Sequence, residues 1–218
     1  MERRRREECL MFSGIVQGTA LITSAAQRED ILTIEVDLGD KLTQNLEIGA
    51  SVAIDGVCLT AVEISDGVVK FDLIEETVQC STLGKERLNS AVNIERSLKF
   101  GDEIGGHVVS GHVSSCATIK EIILGKNGRT LLLSCNENEI SYLMNKGFVA
   151  LDGISLTVGE VNRENATFDV HLIPETLAAT TIANKNVGDQ LNLELDSTTV
   201  AAVEAARQML SNQRCNND

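Results

Sequence analysis

The chain repeats itself once, and that repeat limits its fold more than any other feature. Ser51-Val52-Ala53-Ile54-Asp55-Gly56-Val57-Cys58-Leu59-Thr60 lies over Phe148-Val149-Ala150-Leu151-Asp152-Gly153-Ile154-Ser155-Leu156-Thr157 at an offset of 97 residues. The same offset lays Ser13-Gly14-Ile15-Val16 over Ser110-Gly111-His112-Val113. Two inserted residues then move the offset to 99. Leu73-Ile74-Glu75-Glu76-Thr77 meets Leu172-Ile173-Pro174-Glu175-Thr176, and Asn93-Ile94-Glu95 meets Asn192-Leu193-Glu194. Four blocks in one order at a nearly constant offset are not chance. The period is far longer than the roughly 20–50 residues of solenoid repeats, so each copy is a domain. The copies span residues 11–100 and 101–197.

Each copy reads as β-structure. Short β-rich runs occupy Ile31–Val36, Ser51–Ile54, Leu59–Ile64, Val68–Ile74 and Val92–Ile94 in the first copy. Thr130–Ser134, Val149–Leu151, Leu156–Val161, Ala166–Ile173 and Gln190–Leu195 follow in the second. Turn signals separate them, Asp55-Gly56, Asp152-Gly153 and Lys126-Asn127-Gly128 among them. About six short strands in so few residues predict a small closed barrel, which leaves no strand edge exposed. A short helical segment is expected before the third strand of each copy, at Lys41–Leu46 and Ile140–Asn145. After Asp196, N-cap residues precede Val200, Val203, Ala206 and Leu210 at three- and four-residue spacing. That pattern predicts a helix with a narrow apolar seam suited to association between helices.

Composition removes whole classes of function. The net charge of −13 repels phosphate backbones, so nucleic acid is not an expected partner. No apolar run approaches the roughly 20 residues that span a bilayer. The six cysteines form no C-x-x-C and no zinc spacing with histidine. They read as free thiols of a reducing, cytoplasmic compartment, with no metal site. Arg3 to Arg6 and the following Glu7 and Glu8 read as a solvated, disordered extension over residues 1–10. They are not expected to be a signal peptide, because Phe12–Val16 belongs to the fold.

The residues where the copies differ carry the chemical interest. Cys58 stands where the second copy has Ser155, each followed by Leu-Thr after an Asp-Gly turn. A thiol or hydroxyl there can add to an electrophilic carbon or deliver water to it; the plainer alternative is a small buried strand residue. His112 stands where the first copy has Ile15, which places a titratable proton shuttle in one pocket only. Ser51 aligns with Phe148. Thr60 and Thr157 share a strand face with Cys58 and Ser155. His107 reads as structural or as a support behind the site residues, and His171 falls on a strand opposite Asp72 of the first copy, where it can lie near a pocket.

Met11-Phe12-Ser13-Gly14-Ile15-Val16, Asp55–Thr60, Gly105-Gly106-His107-Val108-Val109-Ser110-Gly111-His112 and Asp152–Thr157 together resemble the α chain of the riboflavin synthase family. The resemblance covers residues 11 to about 210. It implies an all-β fold of two homologous six-stranded Greek-key β-barrels followed by a C-terminal helix. Residues 11–100 and 101–197 would each be a lumazine-binding barrel, and residues 198–213 a helix that assembles a homotrimer. The implied reaction converts two molecules of 6,7-dimethyl-8-ribityllumazine into riboflavin and 5-amino-6-ribitylaminouracil by four-carbon transfer. It is the last step of riboflavin biosynthesis and needs no metal or redox cofactor. The implied active site lies between barrel one of one subunit and barrel two of its neighbour, and association with lumazine synthase is also implied.

The same resemblance assigns residues. Cys58, His112, Ser155, Asp196, Ser51 and Phe12 take catalytic positions, with Asp196 an acid/base candidate that can also cap the last helix. Gly14, Ile15, Val16, Leu59, Thr60, Gly111, Val113, Lys146, Leu156 and Thr157 take substrate-binding positions. Asp72, Leu73, Ile74, Glu75, Glu76 and Thr77, with Leu172, Ile173, Pro174, Glu175, Thr176 and Leu177, match the strands that bind the ring and the ribityl chain. Family chains usually begin at the equivalent of Met11, so the ten residues before it are a departure. The rival of a different class is a non-catalytic lumazine- or flavin-binding antenna protein. A ferredoxin-reductase type of flavin barrel is excluded by the absence of its phosphate motif and of any G-x-G-x-x-G.

Overall fold

Alternating burial closes each copy into a barrel. In the computed structural model, which describes residues 11–84 and 87–215, β2 (Ile31–Asp37) buries every second side chain: Leu32, Ile34 and Val36. β5 (Val68–Ile74) answers with Val69, Phe71 and Leu73, all without exposure. With β1 (Gly18–Arg28), β3 (Ser51–Ile54), β4 (Val57–Ser65) and β6 (Ala91–Arg96) they form a closed barrel in the order β1-β2-β5-β4-β3-β6. The second copy repeats this with β7 (Ser115–Gly125), β8 (Gly128–Ser134), β9 (Phe148–Leu151), β10 (Ile154–Asn162), β11 (Thr167–Leu172) and β12 (Gln190–Leu195). Its order, β10-β11-β8-β7-β12-β9, is the same cycle. Every pairing is antiparallel, and each barrel encloses its own apolar core. No helix among the described residues is long and apolar enough to cross a membrane.

Several local expectations move. The first strand of each barrel, β1 and β7, escaped the sequence pattern although each has 11 residues. A bulge between Ile22 and Ser24, and another between Ile119 and Glu121, break the period of two that marks a strand. The early helices lie nearer the N-terminus than expected, as α1 (Gly39–Thr43) and α3 (Glu137–Ile140). The blocks Asp72–Thr77 and Leu172–Leu177 are not wholly strand. They leave β5 and β11 and turn into α2 (Glu75–Cys80) and α4 (Pro174–Ala179). The last helix, α5, runs over Ser197–Cys215. Cys58, Cys80, Cys116 and Cys135 are free thiols, while Cys9 and the extension 1–10 lie outside the described residues.

The two barrels share a buried joint, and the sequence is built for it. β3 and β9 are buried on both faces because their outward alanines, Ala53 and Ala150, pack against Phe12 and Val109. Outward polar residues of β6 and β12 cross the joint. Asn93 Nδ2 donates to the Asp152 carbonyl at 2.9 Å, and Asn192 Nδ2 to the Asp55 carbonyl at 2.7 Å. The Asp-Gly turns themselves abut: a Cβ on Gly56 would stand 2.6 Å from the Gly153 nitrogen. Both residues of each turn have positive φ, the conformation that Asp-Gly tolerates. The Asp55 and Asp152 side chains are wholly buried, each accepting a backbone N–H at 2.7 Å and each facing a cation, Arg87 at 2.6 Å and Lys185 at 2.8 Å. Burial, and then the neighbouring Asp152 charge, push the Asp55 carboxyl up to about 7 against the pull of Arg87 and Lys185.

Candidate active site

The segment leading into each barrel crosses to the other barrel. Glu95 on β6 holds the first lead-in, accepting Ser13 N–H at 2.7 Å, Ser13 Oγ–H at 2.7 Å and Gly14 N–H at 3.0 Å. Glu194 on β12 does the same for Ser110 and Gly111 at 2.7, 2.7 and 3.0 Å. So held, the Gly14 carbonyl accepts Ser155 N–H of barrel two at 2.8 Å. The Gly111 carbonyl accepts Cys58 N–H of barrel one at 2.9 Å. Val16 packs on the core of barrel two and Val113 on that of barrel one. Glycine is required at both crossings. A Cβ on Gly111 would stand 2.5 Å from Cys58 Cβ, and one on Gly14 would stand 2.6 Å from Ser155 Cβ.

This exchange defines two composite sites. The first gathers Cys58, Ser51 and Thr60 from barrel one with Gly111 and His112 from the second lead-in. The Cys58 thiol is raised by burial, with a Glu194 contribution, and a side-chain hydrogen bond from Ser51 offsets only part of this. It is therefore a protonated thiol at neutral pH, a proton donor before it is a nucleophile. His112 is exposed, and its backbone N–H donates to Ser110 Oγ at 3.2 Å.

The second site gathers Ser155, Thr157 and Phe148 from barrel two with Gly14 and Ile15. It also contains His107. His107 Nδ1 lies 2.7 Å from Ser155 Oγ, and its ring stacks on Phe148 at a centroid distance of 5.0 Å and an angle of 11°. Burial lowers His107 below the ordinary histidine value, and the Asp196 charge only partly restores it. The imidazole is thus neutral near pH 7 and able to accept the serine proton. Asp196 caps α5, its Oδ2 accepting Thr199 N–H at 2.9 Å and Thr199 Oγ–H at 2.6 Å. Burial raises this carboxyl, but the hydrogen bonds of Thr199 and Thr198 and the His107 charge outweigh it and hold it low.

Both sites open onto unpaired strand edges. Among the described residues the β4–β5 ladder ends at Ala61 and Phe71, and the β10–β11 ladder at Val158 and Val170. Beyond those pairs Cys58–Thr60 and Asp72–Ile74 have no ladder partner in each other, nor do Ser155–Thr157 and His171–Ile173. Their backbone groups can read a heterocycle.

The expected residues do not all converge. Leu59, Leu73, Leu156 and Leu172 point into the barrel cores, so only their backbones face a ligand. Phe12 has no exposure; it packs in the joint behind Cys58 and Ala53. Lys146 is exposed, two residues before Phe148. Ile74, Glu75, Glu76, Ile173, Pro174 and Glu175 are exposed where the strands turn into α2 and α4, with Thr77, Thr176 and Leu177 half-buried. Asp72 accepts Thr33 Oγ–H at 2.7 Å, and its counterpart His171 pairs with Thr130 at 2.8 Å on the outer barrel face. Besides His112, expected as the titratable group of one pocket, the structure places a second imidazole, His107, against Ser155. The signal for His107 was the preceding Gly-Gly: a Cβ on Gly106 would stand 2.6 Å from Ser155 Cβ, so the chain passes directly over the serine.

Residues 13–97 and 110–196 each match the lumazine binding domain. The riboflavin synthase of Escherichia coli (strain K12) is 44% identical over 202 residues, 92% of this chain and 94% of that protein. That of Chlamydia pneumoniae is 41% identical over 201 residues, 92% and 98% of the two chains. Solved structures of LumP share the fold. The complex with 6,7-dimethyl-8-(1'-D-ribityl) lumazine has a TM-score of 0.76 at 20% identity, covering 85% of this chain and 99% of that one. The complex with riboflavin has a TM-score of 0.77 at 21% identity, covering 84% and 98%. A duplicated lumazine binding domain, with this identity over nearly the full length of curated relatives, makes the chain a member of the riboflavin synthase family.

Proposed function

We propose that the protein is a riboflavin synthase, a transferase that joins two molecules of 6,7-dimethyl-8-ribityllumazine and releases riboflavin and 5-amino-6-ribitylaminouracil. The observation that carries the reading is the pair of similar but unequal sites within one duplicated chain. Two identical substrates need similar pockets, and their unlike roles need unlike chemistry. One lumazine gives up four carbons and the other receives them, so one must lose a proton from its C7 methyl while the other is attacked at C7. The Ser155–His107 pair supplies a base: neutral His107 draws the serine proton, and Ser155 Oγ faces the ligand edge. Cys58, held protonated, and His112 supply donors at the other site. Bringing the two rings face to face converts an encounter in solution into an oriented one, worth several kcal/mol of the barrier.

A trimer formed through α5 is supported by the exposed Met209 and Leu210 on that helix. It would set barrel one of one subunit against barrel two of the next. A cytoplasmic setting is supported by the free thiols. Association with lumazine synthase is supported by the family resemblance.

Incubating the purified protein with 6,7-dimethyl-8-ribityllumazine alone tests the activity. Riboflavin should accumulate at one molecule for every two substrates consumed, without added metal. Tight binding without turnover would replace this reading with that of an antenna protein.

A further inference from the structure

A separate cleft of about 690 Å³ lies between the barrels, and none of its lining residues belongs to either candidate site. Arg87 of the first copy and Lys185 of the second both line it. So do Thr82 and Thr181, equivalent positions of the two copies. The joint fixes all four. Arg87 is held by the buried Asp55 and Lys185 by the buried Asp152. Thr82 N–H donates to Asn192 Oδ1 at 2.7 Å, and Thr181 N–H to Asn93 Oδ1 at 2.8 Å. Among the described residues Thr82 Oγ1, Thr181 Oγ1 and Arg87 Nε are buried without a hydrogen-bond partner, as is Asp152 Oδ2, which instead faces the Lys185 ammonium at 2.8 Å. Buried polar groups are rarely left so, because each loses its hydration with nothing in return.

The lining selects the ligand. It carries no aromatic ring, so neither a lumazine nor a flavin would stack there. Its one carboxylate, Asp189, accepts Asn186 N–H at 2.8 Å. What remains is two cations and a set of hydroxyls and amides.

We propose that this inter-barrel cleft binds a small oxyanion of the phosphate class, held by Arg87 and Lys185 with the hydroxyls of Thr82 and Thr181. Such a ligand would bridge the two copies and tie the barrels together. Because the cleft shares no residue with the candidate active sites, its occupation can be tested apart from turnover.

The experiment titrates the full chain with potassium phosphate, with potassium chloride at matched ionic strength as the control. Unfolding temperature and phosphorus-31 line width are the readouts. Saturable stabilisation and line broadening by phosphate, beyond chloride, are expected. The double variant Thr82→Val with Thr181→Val keeps side-chain volume and removes only unpaired hydroxyls, so it should fold. It should bind phosphate about tenfold more weakly and leave riboflavin formation unchanged. Glycerol phosphate separates the sources: binding equal to the free ion supports a site for a phosphorylated metabolite, and weaker binding supports a site for the free ion. No saturable effect beyond chloride, or full affinity in the double valine variant, overturns the proposal.

Discussion

Replacing Gly111 by alanine tests the crossing of the lead-in segments directly. Gly111 has φ +79°, and its added Cβ would stand 2.5 Å from Cys58 Cβ and 3.0 Å from Cys58 N. Two costs follow. An L-residue in the left-handed region costs roughly 1–2 kcal/mol. Forcing a carbon into a closed contact with strand β4 costs roughly 1–3 kcal/mol more. The expected loss of stability is thus about 2–5 kcal/mol. Gly49 is the control. It also has positive φ, at +92°, but nothing lies within 4 Å of its added Cβ. Gly49→Ala should show the backbone cost alone. The gain from a stiffer unfolded chain is common to both variants and cancels. Urea unfolding of the two variants against wild type therefore isolates the steric part as a difference of about 1–3 kcal/mol. Gly14→Ala, whose Cβ would stand 2.6 Å from Ser155 Cβ, should match Gly111→Ala. Equal losses for Gly111→Ala and Gly49→Ala would show that the second lead-in is not seated on Cys58, and the composite first site would fall with it.

Asp55→Asn should flatten the pH dependence of stability. The folded Asp55 carboxyl is raised from 3.8 to about 7, so the folded state holds its proton the more tightly. Its stabilising contribution is complete below about 4 and is lost as pH rises toward 7. Unfolding free energies at pH 5 and pH 7.5 should differ less in the variant; an unchanged difference would remove Asp55 as the titrating group. His107→Gln keeps a hydrogen-bonding partner for Ser155 but cannot carry a proton. It should lower kcat roughly 10²–10⁴-fold with little change in KM, and the acid limb of the wild-type profile, placed below the ordinary histidine value, should vanish. A proportionate rise in KM would make His107 a packing residue. Cys58→Ser should reduce turnover more than lumazine affinity, as stopped-flow and equilibrium binding can separate; unchanged turnover would return Cys58 to a packing role. Removing residues 198–218 should lower the mass seen by sedimentation and the activity together, whereas a fully active monomer would refute a site shared between subunits.

The period-two pattern made β2, β5, β8 and β11 legible, because each turns one face to a core and one outward. It failed for β1 and β7, where a bulge shifts the phase and small or polar residues blur the faces. The doubly buried β3 and β9 were legible as short β-rich runs and not by alternation. Their outward Ala53 and Ala150 show no amphipathic signal, since the partner surface is the other barrel. The Asp-Gly pairs were read as turns and are turns, yet their buried carboxylates and the Asn93 and Asn192 bridges depend on the two barrels meeting. No local pattern reports that. Among site residues, Cys58 and Ser155 stood out because the copies differ there. His107 did not, because its counterpart in the first copy falls before the repeat becomes recognisable.

Aligning the copies places His112 opposite Ile15, as though each lead-in served its own barrel. Folding reverses the assignment. Held by Glu194, the second lead-in carries His112 to the Cys58 site, and the first carries Ile15 to the Ser155 site. Duplication alone would have left two pockets of similar chemistry. The crossing, with His107 added over Ser155, gives each pocket one imidazole in a different setting. One is buried, stacked on Phe148 and influenced by Asp196; the other is exposed, on the residue that follows the Gly111 whose carbonyl accepts the Cys58 N–H. A neutral imidazole in hydrogen-bond contact with a hydroxyl is a base, and a protonated thiol is a donor. On the proposed function, this difference, more than the Cys-for-Ser exchange itself, is what would fit two identical molecules to opposite halves of one reaction.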